Sequence, residues 1–341
     1  MGPLLLFLTT FIWGTAFLAQ KLGADTLGPF AMTCFRNVLG GAFLLGCIAW
    51  REFLTRRTEK ARRLGDLEEN SPRLPDSQNS ALKKPACRKS VLAGICCGVP
   101  LFFAMLTQQI GVEKTTPGIC AFLTTNYVLI VPVGAAILSH KLPPVYVWIG
   151  VALALVGTYF ISINGETLSI GPGESWTLLC AVMFSVQMLV VDHFAKGCDV
   201  LVMSATQLLT CAVIGFPCLF LPSEAPQVST FLSSLATRPS AILPVFYCGV
   251  FSSGIAYTLQ NFGQAKTSAG LAAILMSMES VFGALSGYVA LGDRLSPRQF
   301  AGCALVFAAS VLTSLLSSKK PQGEAEPKEN YGTEELPQRL V

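Results

Sequence analysis

The chain matches itself. Residues 108–123, QQIGVEKTTPGICAFL, align without gaps on residues 260–275, QNFGQAKTSAGLAAIL. Seven of the sixteen positions are identical: Gln, Gly, Lys, Thr, Gly, Ala and Leu. Shared oiliness accounts for an Ala or a Leu, but not for a Gly-x-x-Lys-Thr-x-x-Gly connection between two apolar runs. A duplicated unit is the simplest cause, and duplicated membrane units mark secondary transporters.

The apolar runs set the class. Stretches long enough to cross a bilayer, roughly 17–25 residues each, fall at 3–20, 30–50, 91–111, 118–138, 145–163, 175–191, 201–221, 241–262, 269–290 and 298–316. Only 13% of the residues are charged, about half the share in a soluble domain. Charge is concentrated in 51–90 and after 318. Helices satisfy their own backbone in lipid, so the chain is predicted to be an all-α integral membrane protein with ten transmembrane helices. The N-terminal run lacks a basic n-region, so we read it as a retained span rather than a signal peptide.

Direction follows from Lys and Arg. With both termini cytoplasmic, eighteen of the 24 basic residues fall inside, five fall outside, and Arg36 lies within a span. Five spans per repeat is an odd number, so the second repeat must enter the membrane inverted. The Lys114 hairpin is then outside and the Lys266 hairpin inside. The expected organisation is a first repeat over 1–165, a second over 171–317, and a central cavity between them. Residues 51–90 read as a disordered cytoplasmic loop, with span 2 able to extend into it, and 318–341 as a disordered cytoplasmic tail.

Polar groups at membrane depth need a reason. A charge at a helix centre costs on the order of 3 kcal/mol, and Glu279 and Arg36 stand out. Glu279 lies roughly 15 Å along span 9, near the middle of the bilayer. Its repeat counterpart, 152 positions earlier, is Tyr127, beside Asn126. A carboxyl there suits a group that gains and loses a proton during transport. It equally fits a structural acid that never exchanges one. Arg36, roughly 9 Å into span 2, fits a snorkelling or packing role, or an attractor of an anionic solute group. Aligning Trp13-Gly14 on Phe184-Ser185 places Gln207 opposite Arg36. Gln108, Asn126, Gln187, Gln207, Gln260 and Asn261 either line a route or bind helices together. Pro100, Pro132 and Pro217 mark bendable points within spans.

Several chemistries are excluded. The chain has no G-x-S-x-G, H-E-x-x-H, Walker A or Rossmann glycine pattern. Its two histidines are too few for a metal site, and its cysteines have no zinc-ligand spacing. We expect no enzyme activity, no cofactor, no metal and no nucleic-acid partner. Any transport would draw on a gradient.

FIWGTAFLAQKLG, FAMTCFRNVLGG and SSGIAYTLQNFGQAKTSAGLAAILMSMESVFGALSGYVALGDRLSPRQFAG resemble the EamA family of the drug/metabolite transporter superfamily. The resemblance covers 3–316. It implies two five-helix repeats around a substrate cavity, and solute movement that is usually metabolite or amino-acid export. By motif, Trp13, Arg36, Gln260 and Glu279 match family positions. Where many members carry Glu-Pro, this chain has Glu279-Ser280, which is expected to straighten that helix. The candidate cavity set is Trp13, Arg36, Gln108, Asn126, Tyr127, Gln187, Gln207, Tyr257, Gln260 and Glu279. The expected function is alternating-access transport of a small organic solute in the plasma membrane, with a proton as a candidate coupling ion. The alternatives are a non-transporting receptor or scaffold on the same fold, and a nucleotide-sugar-type carrier.

Overall fold

The computed structural model describes residues 1–65, 77–115, 117–162, 170–291 and 296–318. The turn at 292–295, the centre of the 51–90 segment and the tail from 319 lie outside the described residues. Fourteen α-helices account for most of what is described. They are α1 (Gly2–Ala24), α2 (Pro29–Gly65), α3 (Ser77–Lys114), α4 (Pro117–Thr124), α5 (Tyr127–Ser139), α6 (Val145–Ser162) and α7 (Pro172–Phe194). There follow α8 (Val200–Gly215), α9 (Ala225–Ser234), α10 (Leu243–Phe246), α11 (Tyr257–Gln264), α12 (Ala269–Met276), α13 (Glu279–Leu291) and α14 (Pro297–Ser318). A 3-10 turn, Phe216–Phe220, extends α8, and a π-helix, Tyr247–Ala256, joins α10 to α11.

Local chemistry sets the ends. Proline opens α2, α7 and α14, where its missing N–H costs nothing. The Asp199 carboxylate accepts from the amides of Leu201 (3.1 Å) and Val202 (3.3 Å) and caps α8. The tight α7–α8 turn needs a left-handed residue and has Gly197, at φ 87°. Residues 51–65 and 77–90 continue α2 and α3 rather than forming a loop. Arg, Lys and Glu are good helix formers, so a polar composition does not by itself end a helix.

Among the described residues, nine helical stretches are long and apolar enough to cross a membrane. The tenth expected span appears as the shorter apolar helix Val145–Ile161. The molecule is a multi-pass, all-helical membrane protein. Large apolar side chains such as Phe11, Val213, Phe216 and Leu315 face outward, as they must against lipid. The stretch through α12 and α13 has the most buried window, at 67%, and α14 the least, at 28%. The former is therefore central and the latter peripheral.

Packing contacts recur along the chain at fixed offsets. Gly2 lies against Lys266, and Gly173, 171 positions on from Gly2, lies against Lys114, 152 positions back from Lys266. Gly263 meets Leu6 as Gly111 meets Thr177, at the same two offsets. Gly249 meets Leu39 and the Arg36 carbonyl as Gly98 meets Thr210 and the Gln207 carbonyl. In this last pair the second offset is 151, not 152. Gly249 lies within the π-helix, most of which falls between it and Gln260, and i→i+5 bonding takes up one extra residue.

Candidate functional site

Two of the crossing stretches are interrupted. Between α4 and α5 the break falls at Thr125-Asn126, and between α12 and α13 at Ser277-Met278, each 152 positions from its counterpart. The missing proline after Glu279 was expected to straighten the second of these. It is broken instead just before Glu279, by side chains that compete for the backbone. Thr125 Oγ1 donates to the Ala121 carbonyl (2.7 Å), and Asn126 Nδ2 donates to Phe122 (3.3 Å) and Leu123 (3.0 Å). Ser277 Oγ donates to the Ile274 carbonyl at 2.6 Å, and Ser310 Oγ reaches the same oxygen at 3.3 Å. Carbonyls freed at a break are thus satisfied away from water, as non-helical backbone at membrane depth requires.

Tyr127 and Glu279 are the first residues after the two breaks. They meet, with the Tyr127 hydroxyl donating to Glu279 Oε1 at 3.1 Å. Glu279 also sits at the N-terminus of α13, whose dipole favours a carboxylate. Trp13 and Phe184, 171 positions apart, likewise face one another, with ring centroids 6.4 Å apart.

These four side chains line one central cavity, together with Ala16, Phe17, Gln20, Arg36, Gln108, Thr124, Met188, Ser252, Tyr257 and Met276. Its volume is about 20 Å³, room for roughly one water. Trp13 Nε1 donates to the Ser252 carbonyl at 3.1 Å, and the Trp13 ring lies 4.8 Å from that of Tyr257. Arg36 is 2% exposed. Its Nε donates to Ser253 Oγ (3.0 Å) and its Nη2 to Ser252 Oγ (2.9 Å), while its Nη1 is buried without a partner. Both serines belong to the π-helix, a form of helix that often marks functional sites.

Of the ten candidate residues, Trp13, Arg36, Gln108, Tyr127, Tyr257 and Glu279 come together here. The other four do not line the cavity. Gln260 Nε2 donates to Gln187 Oε1 (3.3 Å) and Gln264 Oε1 (3.0 Å). Gln207 Oε1 accepts from Asn261 Nδ2 at 3.0 Å, and Ser204 Oγ accepts from the same nitrogen at 2.9 Å. These amides join α7, α8 and α11. Asn126 is spent on its own helix break. Sequence reasoning missed Gln20, Thr124, Phe184, Met188 and Ser252. Two signals were present: Phe184 is the counterpart of Trp13, and Ser252-Ser253 is a hydroxyl pair within an apolar span.

The cavity is closed toward the side bearing the ends of α1 and α3. Lys21 Nζ donates to the carbonyls of Val112 (3.0 Å) and Glu113 (3.3 Å), and Gln109 Nε2 donates to the Gln20 carbonyl at 3.3 Å. Phe17 packs with Val112, Cys120 and Ala121 below this tie. Beyond it lies a wider cavity of about 650 Å³, lined by residues including Asp25, Thr26, Phe231 and Arg238.

A family model described as the EamA-like transporter family matches residues 1–163 and 171–315. An uncharacterized transporter of Archaeoglobus fulgidus is 24% identical over 309 residues, 90% of this chain and 84% of the relative. A WAT1-related chloroplastic protein of Arabidopsis thaliana is 22% identical, over 89% of this chain and 67% of its own. The threonine/homoserine exporter RhtA of Escherichia coli is 25% identical over 199 residues, 55% of this chain and 61% of the exporter. A solved crystal structure superposes with a TM-score of 0.67 at 21% identity, over 93% of this chain and 97% of that one. That likeness is one of fold.

Proposed function

The chain belongs to the EamA-like transporter family, and from that premise we propose that it is a secondary transporter that exports a small organic solute, a metabolite or an amino acid, by alternating access. One observation carries the reading. A small cavity lined by polar and apolar side chains sits where two interrupted helices meet, and its lining residues come from both halves of the chain. Interrupted helices at corresponding positions of two halves are the usual site of solute recognition in such carriers. The exporter among the relatives supports the direction of transport.

The architecture that goes with this function is two inverted five-helix repeats, over 1–165 and 171–317, with both termini cytoplasmic in the plasma membrane. The recurring contacts at offsets of 171 and 152 support it, as does the Tyr127–Glu279 contact between equivalent positions. Alternating access then means rocking one repeat against the other. The cavity holds about one water, so a solute enters only when one of its closing ties has parted. The Lys21 tie to α3 is the candidate for the outer side.

Glu279 is the candidate proton carrier. It is a carboxyl at membrane depth with one hydroxyl partner and no cation paired to it among the described residues. The experiment is flux into sealed proteoliposomes, driven by a metabolite extract and read by mass spectrometry, with and without a pH gradient. Accumulation of a solute above protein-free vesicles is expected, and Glu279→Gln should move it without regard to the gradient. A protein that moves nothing in either direction fits a receptor or scaffold instead.

A further inference from the structure

The cavity presents one cation and one carboxyl that do not neutralise each other. Arg36 is the sole Lys or Arg in its lining and Glu279 the sole Asp or Glu. No ion pair joins them or binds Arg36 to any other carboxylate among the described residues. Burying a guanidinium without a counter-charge is costly, and a structural role would be served by pairing the two. Each is instead held by neutral hydroxyls on a separate element: Arg36 by Ser252 and Ser253, Glu279 by Tyr127.

The Arg36 seat is also particular to one half of the chain. Its counterpart Gln207 is tied to Asn261 outside the cavity. In α3, the counterpart of the π-helix is one residue shorter, and Gly98 meets Thr210 there without any π-helical segment. Two adjacent serines of the π-helix, Ser252 and Ser253, grip two of the three guanidinium nitrogens. The third, Nη1, stays buried and unpartnered. A guanidinium fixed in this way has N–H donors left for an anion. At the other pole stands the Glu279 carboxyl, and the Trp13 and Tyr257 rings, 4.8 Å apart, line the same cavity.

We infer that this cavity takes a zwitterion, a small skeleton whose anionic group docks on Arg36 and whose cationic group docks at Glu279. The inference rests on the transport reading above. A solute with a single charge leaves one buried pole unmatched, which low-dielectric surroundings penalise. A phosphate-rich solute finds only one cation where it needs several.

The test uses the full-length protein in lipid nanodiscs and in proteoliposomes. Neutral L-amino acids are the probes, beginning with L-threonine, against its methyl ester (cation only) and N-acetyl-L-threonine (anion only). Binding is read by competition with radiolabelled probe and flux by counterflow. Both capped compounds should compete at least tenfold more weakly than the free amino acid. Arg36→Gln should abolish discrimination against the ester while keeping that against the N-acetyl compound. Glu279→Gln should do the reverse, and Arg36→Lys should restore part of the lost discrimination. A merely structural Arg36 would weaken all three ligands alike. That result, or equal competition by capped and free compounds in the unaltered protein, overturns the inference. Should a solute lacking two opposite charges be carried while no free amino acid binds, transport stands and the zwitterion site falls. Charge-selective binding without flux leaves the site standing and removes transport. Neither binding nor flux removes both.

Discussion

Gly14 packs α1 directly onto α13. A Cβ there would lie 2.7 Å from the Gly283 amide nitrogen and 2.8 Å from the Glu279 carbonyl oxygen. Backbone atoms on both sides cannot yield as a side chain can. Gly14→Ala should therefore push α1 off α13 at the depth of the carboxyl, costing about 1–3 kcal/mol. The melting temperature in detergent should fall, and flux should fall with it. Gly283→Ala is the informative control. Its Cβ would meet only the Gly14 carbonyl, at 3.6 Å, and should be tolerated. Asp199 illustrates a residue whose role is legible at a helix end. Desolvation opposes its ionisation, but Arg51, at 2.7 Å, and the capped amides outweigh that and hold its carboxyl below the usual aspartate range. A lowered folded-state pKa stabilises the fold above the unfolded value, about pH 4. That contribution disappears as pH falls through the folded value. The pair is partly exposed, so its share is under about 1 kcal/mol. The melting-temperature gap between Asp199→Asn and the parent protein should shrink between pH 6 and pH 3.

At the scale of elements, the π-helix and the two helix breaks distinguish this chain from a plain bundle. The π-helix spreads one surplus residue over Tyr247–Ala256. Deleting Ser253 should let the segment close into an α-helix, with the contacts on either side still in register, because α3 makes the matching contacts one residue shorter. Folding should survive with a loss of about 1–2 kcal/mol from the buried hydrogen bond, while solute flux is lost with the Arg36 seat. Deleting Ala104 from α3, which has no surplus, rotates one part of the helix by about 100° against the other. Size-exclusion profiles should show that deletion aggregated and the first one monodisperse. The break before Tyr127 depends on Asn126, whose amide serves two carbonyls. Asn126→Leu leaves those carbonyls unserved at membrane depth and should cost about 1–3 kcal/mol, read as a lower melting temperature.

For the molecule as a whole, the decisive quantity is sidedness. Lys114 and Lys266 are both exposed, each at the hairpin that follows a matched Gln-containing stretch. In a background free of reactive cysteine, Lys114→Cys and Lys266→Cys should react with an impermeant maleimide from opposite faces of intact cells, Lys114→Cys from outside. Labelling of both from one face would remove the inverted arrangement and the alternating-access reading with it. The proposed inverted arrangement would also bring equivalent residues together. In that arrangement the contacts of Trp13 with Phe184 and of Tyr127 with Glu279 would lie beside the axis relating the two halves.

The order of residues was enough to make this chain a helical membrane protein. It did so because lipid leaves the backbone no other way to satisfy its amides, and apolar runs of that length have no other stable solvent. It also carried the internal duplication, the family, and the isolated polar residues at membrane depth, because a charge in that setting is too costly to be incidental. Tertiary structure alone decided which of those residues share a cavity. Gln187, Gln207 and Gln260 have the same composition signature as Gln108, but an amide tied to another amide looks identical in sequence to one facing a solute. The break before Glu279 was hidden because it arises from Ser277 and its neighbours competing for backbone carbonyls, not from a proline. The seat of Arg36 was hidden for a related reason. A π-helical segment in an apolar span leaves no periodic trace, and only the packing shows that its two serines meet a guanidinium.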